Sequence, residues 1–169
     1  LQAGDYGALH GQATKALEGT DTYFVLIDQS MHQLFNTRVP YGTPLNAASE
    51  TVSAGLAFAR NERMVSDLFF DKTAQQWGFN VYLPMRLTNG RYVLLAMTKN
   101  AEALRRAVNP DVLSPGWNAA VLDTAGTVIA STGENQKAGE PFFLRVVPSL
   151  RLGVSTMRQG GVNYQVVTE

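Results

Sequence analysis

Val25-Leu26-Ile27-Asp28, with Leu34-Phe35-Asn36-Thr37 a tight turn later, is the stretch that decides the fold. The β-branched and aromatic run from Tyr23 to Ile27, the turn over Gln29 to His32 and the extended run from Gln33 to Arg38 predict a β-hairpin. The pattern returns downstream. Val121-Leu122-Asp123 and Ile129-Ala130-Ser131-Thr132 repeat it at the same offset, the mark of an internal duplication. An Asp that closes an apolar strand can accept hydrogen bonds from the backbone N–H groups of the turn. Gly126 supplies a permissive backbone position in the second copy, and Met31 occupies that place in the first.

Outward from the first hairpin, Tyr6, Leu9, Ala13, Ala16 and Leu17 recur at helical spacing, with Asp5 as N-cap and Gly19 placed to end the helix. Pro40, Gly42 and Pro44 open a loop, and Ala47 to Ala59 is rich enough in helix formers to predict a helix. A crossover runs through Arg60 to Asp71. Strands over Trp77 to Arg86 and Arg91 to Thr98 follow, joined by Leu87-Thr88-Asn89-Gly90, whose Asn-Gly is a strong hairpin signal. A short helix over Ala101 to Val108 leads to Asn109-Pro110 and Ser114-Pro115-Gly116, which punctuate the chain as a linker would. The second hairpin then spans Trp117 to Leu122 and Thr127 to Ser131, a helical stretch is expected around Phe143 to Leu150, and Val154 to Arg158 pairs with Val162 to Val167 across Gln159-Gly160-Gly161. Both units read as hairpin, helical crossover, hairpin.

Composition excludes several functions. The 169 residues, 45% hydrophobic and 17% charged, suffice for a packed core. Fourteen basic and fourteen acidic residues cancel, which removes the electrostatic footprint that nucleic-acid binding requires. The absence of cysteine rules out disulfides and thiolate metal sites, and two histidines, His10 and His32, are too few for a histidine-rich metal centre and read as surface residues. No phosphate loop, nucleophile elbow or His-Glu-x-x-His pattern occurs, so neither catalysis, a cofactor nor a metal is expected. Asp71 reads as structural, Arg105-Arg106 as a solvated charge pair, and Phe142-Phe143 as core. No stretch reaches the roughly 18 apolar residues of a membrane span.

Beyond the duplication, Gly4-Asp5 leading into a helix, Pro40-Tyr41-Gly42-Thr43-Pro44-Leu45, Val65-Ser66-Asp67-Leu68, Leu83-Pro84-Met85 and Gly116-Trp117-Asn118-Ala119-Ala120-Val121-Leu122-Asp123 follow in a definite order. In this the chain resembles the double-Cache sensor domains of bacterial histidine kinases, with relatives in diguanylate cyclases and chemoreceptors. The resemblance implies an α+β fold: an N-terminal signalling helix ending in 1–22, a membrane-distal PAS-like module over 23–108, a linker at 109–116 and a membrane-proximal PAS-like module over 117–169 that looks short of its last strand. Each module would be an antiparallel sheet with crossover helices. It also implies a periplasmic location, tethering by transmembrane helices before Leu1 and after Glu169, a cytoplasmic transmitter, foremost a histidine kinase, and a homodimer formed through the N-terminal helix.

A PAS-like module holds a small molecule between one face of its sheet and the crossover elements above it. Those segments contain Tyr41, Arg60, Ser66, Asp67, Phe69, Trp77, Asn80 and Tyr82, which are therefore the candidate ligand contacts. Strand alternation puts Asn80 and Tyr82 on one face and Phe79, Val81 and Leu83 on the other, and the polar pair is the better lining because its tips need partners that a ligand can supply. The expected ligand is a small polar or carboxylated metabolite. The Tyr, Arg, Trp, Tyr, Asp signature of amino-acid-binding relatives is not recognisable around Trp77, which disfavours an α-amino acid. Truncating Arg60, Asp67 or Tyr82 should then weaken binding and leave folding intact. Alternatives are the sensor of a diguanylate cyclase or chemoreceptor, a ligand-free interaction module, or a cytosolic PAS-like domain holding a cofactor.

Overall fold

A computed structural model describes residues 6–108, 111, 113–134, 136–144 and 153–168. Helix α1 (Tyr6–Ala16) precedes the hairpin β1 (Thr22–Asp28) and β2 (Gln33–Asn36). Next come α2 (Val52–Arg60), the short strands β3 (Met64–Val65) and β4 (Phe69–Asp71), the long hairpin β5 (Gln76–Arg86) and β6 (Tyr92–Asn100), and α3 (Ala101–Ala107). Two further hairpins follow: β7 (Ala120–Leu122) with β8 (Val128–Ser131), and β9 (Gly153–Gln159) with β10 (Val162–Thr168).

Strands β2-β1-β6-β5-β3 form one antiparallel sheet, with β4 also pairing β5. Its first face carries Tyr23, Val25 and Ile27 from β1, Tyr82 from β5, and Leu94 and Ala96 from β6, packed on Ala54 and Ala57 of α2. Alternation sends Leu26, Phe35 and Val93 to the opposite face, where Tyr6 and Leu9 of α1 cover them. The sheet thus lies between two helices. A third cluster joins Phe79, Ala101 and Leu104 to Val121, Ile129 and Ala138, so the second hairpin packs on α3 and the adjacent end of the large sheet. Among the described residues, β7–β8 and β9–β10 are separate two-stranded ladders.

The duplicated turns match in detail. Asp28 Oδ1 accepts from the backbone N–H groups of Ser30 and His32 at 2.9 and 3.0 Å, and Asp123 Oδ1 from those of Ala125 and Thr127 at 3.0 and 2.8 Å. Met31 and Gly126 both have positive φ, 63° and 81°. A left-handed conformation costs a non-glycine residue about 1 kcal/mol, and Met31 sets against this the packing of its side chain on the α2-facing core. Burial opposes ionisation of Asp28, but hydrogen bonds from Ser30 and His32 outweigh it and lower the pKa below 3.8. A depressed carboxyl pKa stabilises the fold above the unfolded value and loses that effect as pH falls through the folded one. Melting Asp28→Asn beside the native chain at pH 7 and pH 3 should therefore show the variant's deficit shrinking in acid. An equal deficit at both pH values would contradict this reading.

Several local expectations change. The helix expected from Ala47 begins only at Val52, because Ala47 forms a bridge with His32 and Ala48 N donates to Met31 O at 2.9 Å. The crossover over Arg60 to Asp71 contains β3 and β4, both completing the edge of β5. His10 is buried rather than on the surface, with Nε2 donating to Val39 O at 2.9 Å and its ring edge-on to Phe35. Arg105 pairs with Glu102 and Arg106 with Asp21. Phe143 is exposed, its ring tilted against Phe142 and edge-on to Tyr164 of β10. Asp5 and most of the helical stretch expected at 143–150 lie outside the described residues.

Candidate functional site

The face of the sheet beneath α2 carries a cluster of polar side chains within otherwise apolar packing. Asn80 and Thr98 face each other across β5 and β6, and Thr98 Oγ1 donates to Asn80 Oδ1 at 2.6 Å. Asn80 Nδ2 donates to Tyr82 Oη at 2.7 Å, and Tyr82 Oη donates to Glu50 Oε2 at 2.7 Å. Glu50 also receives Ser53 N and Ala54 N at the start of α2, at 2.8 and 3.2 Å, satisfying two of the amides that a helix leaves unpaired. One carboxylate therefore ties the helix to β5.

Beside this chain of bonds, Asp71 Oδ2 accepts from Tyr23 Oη at 2.6 Å, while Oδ1 receives Thr73 N and Ala74 N at 2.7 and 3.1 Å. Burial, and after it the carboxylate of Asp71, drives the Tyr23 phenol far above the ordinary tyrosine range. Burial does the same to Tyr82, where Glu50 adds to it and the bond from Asn80 opposes it. Both phenols remain protonated donors.

Between these two groups lies a cavity of about 10 Å³, lined by Val25, Ile27, Gln33, Ala48, Ser49, Phe69, Asp71, Asn80 and Thr98. That is room for about one water molecule. Its roof is the segment 46–50, held by Gln33 Nε2 donating to Asn46 O at 3.1 Å, by Lys72 N donating to Ser49 Oγ at 3.2 Å, and by Glu50 on Tyr82.

Of the eight candidate contacts, Phe69 and Asn80 line the cavity, Tyr82 adjoins it through Asn80, and Ser66 lies behind it, its Oγ accepting from Asn80 N at 2.9 Å. The other four lie elsewhere. Tyr41 is exposed against His10 of α1 on the opposite side of the sheet. Arg60 is exposed at the last turn of α2. Asp67 accepts from Thr124 N and Oγ1 at 3.0 and 2.7 Å. Trp77 packs edge-on to Phe70 and lies against Gly139, where a Cβ would come within 2.3 Å of its ring.

Sequence reasoning missed Gln33, Ser49, Glu50 and Thr98. Thr98 was not legible by counting, since a turn over 87–90 would pair Arg86 with Arg91 and Asn80 with Met97, whereas Leu87 N bonds Arg91 O and so sets Asn80 opposite Thr98. Glu50 carried no usable signal, since a helix expected from Ala47 puts it within the helix, and only the start at Val52 makes it a carboxylate at the N-terminus.

A larger groove of about 660 Å³ runs between α1 and the β1–β2 edge, lined in part by His10, Lys15, Glu18, Tyr23 and Arg38. Among the described residues no three His, Cys, Asp or Glu side chains gather as a metal site, and no helix is long and apolar enough to cross a membrane.

No protein-family model matches the chain, and no curated protein matches it in sequence. Solved structures do. The ligand-binding domain of Mlp24 with asparagine aligns with 95% of this chain and 69% of its own, at 17% identity and a TM-score of 0.53. The extracellular domain of rpHK1S-Z16, a candidate histidine kinase, aligns with 94% of this chain and 69% of its own, at 13% identity and a TM-score of 0.61. The ligand-binding domain of the Pseudomonas aeruginosa PAO1 amino acid chemoreceptor PctB in complex with L-Arg aligns with 83% of this chain and 61% of its own, at 11% identity and a TM-score of 0.52. At these identities the likeness is one of fold.

Proposed function

We propose that this chain, which has the fold of a Cache-type sensor domain, is the extracytoplasmic ligand-sensing part of a bacterial transmembrane receptor, foremost a histidine kinase. The observation that carries the reading is the fold, shared over 83–95% of the chain with domains that bind small molecules or stand outside the cell. In this reading 23–108 is the sensor module, 109–116 a linker and 117–169 a second, membrane-proximal module. The exposed side of α1, with Gly11, Gln12 and Lys15, is the dimer surface and the route to the membrane. Flanking gene sequence without membrane spans would overturn the location.

The ligand site is the polar cluster beneath segment 46–50, and the structure is its closed state. Gln33, Ser49, Asp71, Asn80 and Thr98 are the polar groups around the cavity, and no basic side chain lines it. That favours a small ligand rich in hydrogen-bond donors, such as an amine or polyol, over a carboxylate, which would meet Asp71 without a compensating cation. A ligand larger than water must lift segment 46–50, so binding energy would be coupled to movement of α2 through Glu50.

A ligand-free interaction module is the second reading, favoured by one observation: the cluster's polar atoms already bond one another around a cavity of about 10 Å³. A thermal-shift screen of amines, polyols, sugars and organic acids separates the two, since a ligand of the native state raises its melting temperature. An amine hit should weaken about ten- to a hundredfold in Asn80→Ala, the loss expected for one hydrogen bond to a charged group, and a polyol hit about two- to tenfold. It should persist in Arg60→Ala and Tyr41→Ala. A hit that ignores Asn80→Ala would place the site elsewhere, and a broad screen without hits would favour the interaction module.

A further inference from the structure

Asp67 and Asp123 hold each other's segments across the junction between the large sheet and the second hairpin. Asp67 Oδ1 receives Thr124 N and Oγ1, at 3.0 and 2.7 Å, while Asp123 Oδ2 receives Leu68 N at 3.2 Å. Asp123 keeps its other oxygen for its own turn, accepting from Ala125 N and Thr127 N. Its counterpart Asp28 makes the same turn contacts, so the contact with Leu68 is an addition to the duplicated motif.

The segment so held is 66–68, which lies between β3 and β4 on the β5 edge. On its inner side Ser66 N donates to Asn80 O, and Ser66 Oγ accepts from Asn80 N, both at 2.9 Å. Ser66 Oγ also donates to Asp67 O at 2.7 Å. Asn80 in turn receives Thr98 Oγ1 at the cavity wall. A series of hydrogen bonds, joined at Asn80 and Asp67 by the covalent link between side chain and backbone, therefore runs from the cavity through Ser66 to the turn of the second hairpin.

We infer that segment 66–68 is the strap through which the state of the cavity is passed to the second hairpin. The inference rests on the ligand-sensing reading for its purpose, but its physical content is a coupling between two places in the chain. A change at Asn80 shifts its backbone or side chain against Ser66. Segment 66–68 is too short to absorb that shift without moving Asp67 and Leu68, and these are the two residues bonded to the Asp123 turn. Leu68 and Val121 both pack against the apolar cluster of Phe79, Ala101 and Ile129, which joins the same elements. Interleaved bonds from both sides make the junction respond as a unit.

The test needs no ligand. Amide hydrogen exchange is followed by NMR on the native chain, on Thr98→Val, which removes the hydroxyl from the cavity wall and keeps the side-chain shape, and on Ser66→Ala, which cuts the series at its middle. Exchange at the Leu68 and Thr124 amides should accelerate about tenfold or more in both, equivalent to about 1.4 kcal/mol of easier local opening. The Tyr164 amide in β10 should not respond. In an Asp67→Ala background, Thr98→Val should add nothing at Thr124. Unchanged exchange at Leu68 and Thr124 in both variants overturns the inference, as does uniform acceleration that includes Tyr164, which would report general loosening. A fruitless ligand screen leaves this result standing, and failure here leaves any ligand hit standing.

Discussion

Tyr82→Ala is expected to destabilise the chain by about 3–5 kcal/mol, the range for truncating a large buried aromatic. Tyr82 is 0% exposed and lies in the core between the sheet and α2. Its hydroxyl also joins Asn80 to Glu50, so truncation leaves a void and strips both of a partner. For a domain of this size such a loss lowers the melting temperature by roughly 6–20 °C. The sequence pointed to the opposite outcome, weakened binding with folding intact, because a tyrosine on the cavity-facing side of a strand reads equally well as lining or as core. Tyr82→Phe separates volume from hydrogen bonding: it keeps the ring and should cost about 1–2 kcal/mol. Thermal and denaturant unfolding of the two variants checks this. If Tyr82→Ala unfolds within about 1 kcal/mol of the native chain, the phenol is not the packing element described.

Asp71→Ala should cost about 3 kcal/mol. The carboxylate receives three hydrogen bonds in a buried position, from Tyr23 Oη and from two backbone amides of the turn after β4. Hydrogen bonds to a charged group contribute more than neutral ones, and deleting the acceptor leaves a buried donor to bear its desolvation. Asp71→Asn should recover most of the loss. Its amide oxygen can still receive the turn amides, and its NH2 can donate to the Tyr23 oxygen once the phenol hydrogen rotates away. Tyr23→Phe combined with Asp71→Ala should be less destabilising than the two losses added, because Tyr23→Phe removes the donor that Asp71→Ala leaves stranded. Strict additivity in that cycle would mean that the two side chains do not depend on each other.

Much of the architecture was legible because its signals are local. The apolar runs ending in Asp28 and Asp123, the Asn89-Gly90 turn and the alternation along β5 each arise from neighbouring residues and the periods of a strand. They identified the paired hairpins and the shared face of Asn80 and Tyr82. The start of α2 at Val52 was not legible from propensity, since the residues from Ala47 onward favour a helix but are captured by a bridge to His32 and by Met31 O. Short β3 and β4 were missed because two or three residues carry no periodicity, and the edge of β5 recruits them.

By itself, the sequence determined the first helix, the opening hairpin and its downstream repeat, the long hairpin of β5 and β6 and the duplicated turn with its Asp. Whether a polar residue meets a ligand, another side chain or the neighbouring hairpin was decided only by tertiary structure. Asp67 and Asp71 are four positions apart in similar surroundings, yet one bonds Thr124 in the second hairpin and the other Tyr23 beneath the sheet. The physical reason is that a hydrogen bond acts over about 3 Å, whereas these partners stand 57 and 48 positions away along the chain. Only the folded sheet brings them within that reach.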